Sequence, residues 1–172
     1  MRLDTDEKLA LALVVIGAGS RLLHLPPNIA AVTGVTLLAG FALRNIWLAL
    51  LVPVAAMALA DVVLGWYPGV LATYAGMAAG VLLARGLLRH RLTALRLVGT
   101  TFLASLIFFV LSNFGTWLEG WYGYTWEGLV ACYIAGIPIW QNSLIADFTS
   151  TALVFGLFLL GRRTLHTTGA KA

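Results

Sequence analysis

From Ile46 to Ala84 the chain carries one charged side chain, Asp61. From Leu97 to Leu118 it carries none, and from Gly128 to Gly161 only Asp147. Such runs cannot form the surface of a fold that faces water, because they leave too few groups for water to solvate. A helix crossing a bilayer needs roughly 20 predominantly apolar residues. Over the whole chain 60% of residues are hydrophobic and 10% charged, against about 45–50% and about 25% in a soluble domain. The 172 residues leave room for about six spanning helices and no separate soluble domain. The expectation is an all-α, polytopic membrane helix bundle forming a single integral membrane domain over residues 1–172.

The apolar spans are Leu9–Leu23, Ile29–Leu43, Ile46–Trp66, Val70–Leu88, Leu97–Phe114 and Ser143–Gly161. A further stretch, Gly128–Trp140, is short and contains Pro138. Its length suits a re-entrant or interfacial helix. Charge decides how to count it. With six spans and both termini inside, Arg2, Lys8, Arg44, Arg85, Arg89, Arg91, Arg96, Arg162, Arg163 and Lys171 all fall on the cytoplasmic side, and only Arg21 falls outside. That is the bias the positive-inside rule demands. A seventh span would carry the basic tail outside. The short stretch is therefore expected in an outer segment, 115–142, and the chain in a bacterial inner membrane. Arg2 to Lys8 is a mixed-charge stretch and does not read as a cleavable leader.

The net charge of +4 and pI near 9.6 do not point to nucleic acid, because the basic residues lie between apolar runs and are not interleaved with stacking aromatics. A single cysteine, Cys132, excludes an internal disulfide and a cysteine-rich metal site. No GxSxG, HExxH or Walker loop occurs. No catalysis and no cofactor are expected.

The outer side is where polar and aromatic residues gather. Asn28 lies between the first two spans, and Trp66 and Tyr67 follow the third. The segment from Asn113 to Asn142 holds Trp117, Trp121, Tyr122, Tyr124, Trp126, Tyr133, Gln141 and no lysine or arginine. Dense aromatics offer flat faces and polar edges to a small ligand; they also suit an interfacial belt. Arg21, Asp61 and Asp147 sit at or near the outer ends of spans. They can set the charge preference of a ligand site, or Arg21 can pair with a carboxylate to fix helix packing. Cys132 is a weak candidate thiol ligand and reads more simply as a small buried hydrophobe. Gly76 and Gly80 form a small-residue ridge for close helix approach, within the bundle or to a second membrane protein.

The stretches RLLHLPPNIAAVTGVTLLAG (Arg21 to Gly40), ALADVVLGW (Ala58 to Trp66), SNFGTWL (Ser112 to Leu118) and GLVACYIAGIPIWQNSLIADFTSTALVFG (Gly128 to Gly156) resemble a family of small bacterial membrane proteins. That family, DUF6580, is uncharacterised, and the resemblance implies a role in transport. It is similar in turn to the substrate-binding S components of energy-coupling-factor (ECF) transporters. The resemblance implies six helices, cytoplasmic termini and an outward-facing pocket for a vitamin or related micronutrient. It also implies a membrane coupling subunit and an ATPase module as partners. The pocket would be lined around Asn28, Trp66–Tyr67 and Asn113–Asn142, and the first helix would meet the coupling subunit. The alanine motif expected there reads Ala10, Val14, Ala18.

The leading expectation is thus a substrate-capturing membrane subunit that binds through aromatic stacking, with polar selection by Asn28, Asn113, Gln141 and Asn142. The alternative is a non-catalytic scaffold that binds partner helices through its small-residue ridges.

Overall fold

The computed structural model describes residues 4–23, 31–65 and 69–169, with side chains described to 163. These residues form six helices and no strand: α1 (Thr5–Leu22), α2 (Val32–Ala42), α3 (Ile46–Leu64), α4 (Val70–Leu87), α5 (Ala94–Leu118) and α6 (Trp126–Gly169). Four of them, α3 to α6, are long and apolar enough to cross a membrane. The chain has the features of a multi-pass membrane protein. The other two helices differ for distinct reasons. α1 has 18 residues but carries Asp6, Glu7, Lys8 and Arg21. α2 has 11 residues, about 16 Å of helix at ~1.5 Å per residue, roughly half the ~30 Å hydrocarbon core.

One end of the bundle is polar and capped. Asp4 and Glu7 close a capping box at the start of α1, Asn45 caps α3 and Thr93 caps α5. Side chains at N-caps satisfy helix donors that would otherwise be orphaned. At the same end Asp6 accepts from the Arg44 backbone N–H at 2.8 Å. Arg85 donates to the Arg44 carbonyl at 2.8 Å, and Arg96 to the Leu87 carbonyl at 3.2 Å. Arg162 lies over the Phe158 ring, and Phe158 meets Phe41 of α2 edge-on. Arg44, Arg85, Arg96 and Arg162 are therefore at one end of the bundle. Of the described basic residues, only Arg21 lies at the other end.

α2 is the centre. Eight of its eleven residues, from Val32 to Gly40, are buried, and it touches every other helix. Its glycines make this possible. A Cβ on Gly40 would overlap the Val81 carbonyl of α4, and one on Gly34 would lie 2.6 Å from the Ser150 carbonyl oxygen of α6. The core below is apolar: Leu38, Ala39, Leu43, Val81, Ala84, Leu88 and Phe155.

The expected short helix over Gly128–Trp140 is not a separate element. Those residues are the first part of α6, which runs unbroken through Pro138 into the span beginning at Ser143. Proline removes one helical hydrogen bond, which a membrane helix tolerates when neighbours compensate. Cys132, Tyr133 and Trp140 anchor this part to α5. The outer segment is also shorter than expected. α5 continues through Leu118 and α6 starts at Trp126, with Gly120 and Gly123 turning the chain at φ 81° and 73°. At 44 residues α6 is about 66 Å long, so it crosses a bilayer steeply inclined or projects from it.

Gly40→Ala should lower the thermal stability of the detergent-purified protein by about 1–3 kcal/mol, because the added methyl overpacks the α2–α4 contact. Gly86→Ala, where a Cβ meets nothing within 4 Å, should leave it unchanged or raise it. Equal effects would show that α2 and α4 are not in close contact.

Candidate ligand-binding cavity

Away from the basic end the helices separate around a cavity of about 500 Å³. Its wall takes residues from all six helices. Arg21 comes from α1 and Met57 from α3; α2 gives Val32, Thr33, Thr36 and Leu37. α4 gives Thr73, Gly76, Met77 and Gly80, and α5 gives Ala104, Ser105, Phe108, Phe109, Ser112, Asn113 and Thr116. α6 gives Gly136, Ile139, Trp140, Ser143 and Asp147. On α4, α5 and α6 these positions recur every three or four residues, as one face of a helix must.

Arg21 and Asp61 define the electrostatics of one edge. Asp61 is fully buried and pairs with Arg21 at 2.9 Å. The Tyr74 hydroxyl donates to its second oxygen at 3.2 Å, and Arg21 also donates to the Met57 sulfur at 2.7 Å. A buried carboxylate needs both a counter-charge and hydrogen bonds, and this one has both. Arg21 reaches the cavity wall with its charge already met.

On the opposite wall Asp147 interacts with the Ser105 and Thr33 hydroxyls. Ser105 also accepts from the Trp140 indole N–H at 3.0 Å. Trp140 stacks on Phe109 with ring centroids 5.1 Å apart. Asn113 is held by donation to the Phe109 carbonyl at 2.8 Å, and a Cβ on Gly136 would strike its side chain. Several wall hydroxyls are spent on their own helix: Ser112 on the Phe109 carbonyl, Thr116 on the Ser112 carbonyl and Ser143 on the Ile139 carbonyl. Thr36 is buried, and among the described residues its hydroxyl has no partner.

Of the residues singled out from sequence, the cavity brings together Arg21, Asn113, Asp147 and the ridge glycines Gly76 and Gly80, with Asp61 behind Arg21. The aromatic segment lies elsewhere. Trp121, Tyr124 and Trp126 are each at least 70% exposed, Tyr122 is 40% exposed, and Trp117 packs on Phe114 and Tyr124. Tyr133 donates to the Val110 carbonyl, and Gln141 and Asn142 are exposed on α6. Asn28, Trp66 and Tyr67 lie outside the described residues. Cys132 is buried, its thiol 3.3 Å from the Asn113 carbonyl. Among the described residues no three His, Cys, Asp or Glu side chains converge as a metal site would require.

A profile of a family of unknown function, DUF6580, matches residues 3–168. The chain belongs to the DUF6580 family. No curated protein and no solved structure matches it. For this DUF6580 chain the cavity therefore carries the functional argument. Sequence reasoning missed most of its wall, including Ser105, Ser112 and Thr116. Their signal was present: Thr101, Ser105, Ser112 and Thr116 are spaced by four, seven and four in an otherwise apolar run, a polar stripe on one helix face.

Arg21→Gln should destabilise the protein more than Asp61→Asn. The first leaves a fully buried carboxylate without its cation, a loss of about 3–5 kcal/mol for a broken buried pair. The second frees an arginine that is 21% exposed and can be hydrated through the cavity. The double variant should recover part of the loss. Thermal melts in detergent read all three, and the reverse order would mean that Arg21 does not stabilise Asp61.

Proposed function

We propose that this DUF6580 protein is a substrate-binding membrane subunit, similar to ECF S components, that captures a small organic micronutrient such as a vitamin for uptake. The observation that carries this reading is the position of the cavity. It lies in the half of the bundle away from the basic end, above a tightly packed apolar floor. By the positive-inside rule the basic end is cytoplasmic, so the cavity faces the outside. In this reading the six helices cross the bacterial inner membrane and both termini are cytoplasmic. α2 crosses as a short, internal helix, shielded from lipid by its neighbours.

The cavity volume of about 500 Å³ falls within the ~300–1,000 Å³ of small-molecule sites. Its wall mixes aromatic and aliphatic side chains with a few fixed polar groups, the usual composition of such sites. The chain itself performs no chemistry on the ligand. Release to the cytoplasm is driven by a separate ATPase module acting through a membrane coupling subunit. Ala10 and Ala18 are buried within the bundle, so the exposed α1 face offered to such a subunit is Leu11, Val15 and Ile16.

Native mass spectrometry of the purified protein, followed by extraction of any co-purified small molecule, tests the reading. Ser112→Trp should fill the cavity and abolish binding with folding intact. Trp121→Ala combined with Trp126→Ala should change affinity by no more than about twofold, because those rings lie outside the wall. Loss of binding in the double variant, with Ser112→Trp unaffected, would move the site to the aromatic loop. A protein that stays empty through a panel of vitamins and cofactors would reject the uptake reading.

A further inference from the structure

We propose that the cavity selects organic cations: molecules with a flat or apolar body and a protonated amine, the ammonium pairing with Asp147. This inference deepens the uptake reading and rests on it. It starts from the charges on the wall, where Arg21 and Asp147 are the two residues with ionisable acid or base groups among the described residues. Arg21 is spent on buried Asp61 at 2.9 Å, and the two together are neutral. Asp147 has the hydroxyls of Ser105 and Thr33 as neighbours. Hydroxyls supply hydrogen bonds but no counter-charge, and a carboxylate in a low-dielectric wall is costly until a cation meets it. A bound ammonium is that cation. An anion would meet Asp147 as a like charge and find Arg21 already paired.

Two further features complete the site. The Trp140 indole N–H donates to Ser105 Oγ at 3.0 Å, which leaves the Ser105 proton to turn toward Asp147. The carboxyl is thus one hydroxyl away from the Trp140 ring, itself stacked on Phe109 at 5.1 Å. Aromatic faces attract cations and accept flat ligand bodies. The second feature is Thr36, one helical turn beyond Thr33 on α2. It is 4% exposed, lines the cavity and, among the described residues, has no partner for its hydroxyl. Buried polar groups are nearly always hydrogen-bonded, and an N–H of the ligand would satisfy this one.

The experiment measures binding of two charge series to the full-length protein in detergent by isothermal titration calorimetry. One series is tryptamine, tryptophol and indole-acetate; the other is phenethylamine, phenethyl alcohol and phenylacetate. Each shares one ring and changes the charge. The amine should bind roughly 10–100-fold more tightly than the alcohol, as loss of a charge-assisted hydrogen bond implies, and the carboxylate should bind least. Asp147→Asn should erase the difference between amine and alcohol, and Asp147→Glu should keep it. Alcohols or carboxylates that bind as well as the amines would overturn the cation preference and leave the uptake reading standing. So would an amine preference that survives Asp147→Asn. If that variant does not fold, the wild-type ranking decides alone. Failure of all six compounds to bind would count against the small-molecule reading and take this inference with it.

Discussion

The bundle depends on a short helix being surrounded. α2 has no room for side chains at Gly34 and Gly40, where the α6 and α4 backbones come closest. In a membrane, helices gain little from hiding apolar side chains, because lipid is as apolar as they are; close backbone approach and good packing take over that role. α2 is the element around which this packing is organised. Because it is enclosed, it need not match the thickness of the hydrocarbon core. Its neighbours supply the lipid-facing surface, with Leu51, Leu59 and Val62 exposed on α3 and Leu153 and Leu157 on α6.

The same helix divides the interior into two parts. Toward the basic end its residues are apolar, Leu38, Ala39 and Phe41 among them, and pack with Val81, Ala84 and Phe155. Toward the other end Thr33 and Thr36 replace them, and the facing positions of α5 and α6 are serine, asparagine and aspartate. Polar side chains held by their own helix carbonyls, as Ser112, Thr116 and Ser143 are, do not draw helices together as interdigitating leucines do. The cavity is where apolar packing stops. Arg21 and Asp61 fix its edge by an ion pair, and Asp147 is the other ionisable side chain of the described wall.

Much of this was legible in the sequence, and the misses have physical causes. Uncharged runs announced the helices, and the distribution of arginines announced which ends lie together. The pairing of Arg21 with one of two carboxylates was also readable, because an isolated charge in such a chain needs a partner. Pro138 misled, since proline breaks helices in water but not where neighbouring helices support the backbone. The aromatic segment and the cavity are distinct places, and composition could not separate them. Composition reports what a loop can offer, not which way it points, and Trp121 and Trp126 point outward. Residues that do line the cavity, such as Ser105 and Thr36, are individually unremarkable in a membrane helix. They become informative only as a stripe, and only when another stripe faces them.

The glycine ridge on α4 separates the two broad readings of the chain. A scaffold that binds foreign helices must present such a ridge to lipid. Here it is turned inward: a Cβ on Gly76 would lie 2.9 Å from the Phe108 ring, and one on Gly80 3.0 Å from the Thr36 methyl. Both glycines also line the cavity. The missing side chains thus bring α4 against α5 and α2 while leaving volume above them. A ridge occupied in this way has no free face for a partner, and its effect on the molecule is to shape an internal space. Small residues that would serve assembly on the outside of a bundle shape its cavity when they face its interior.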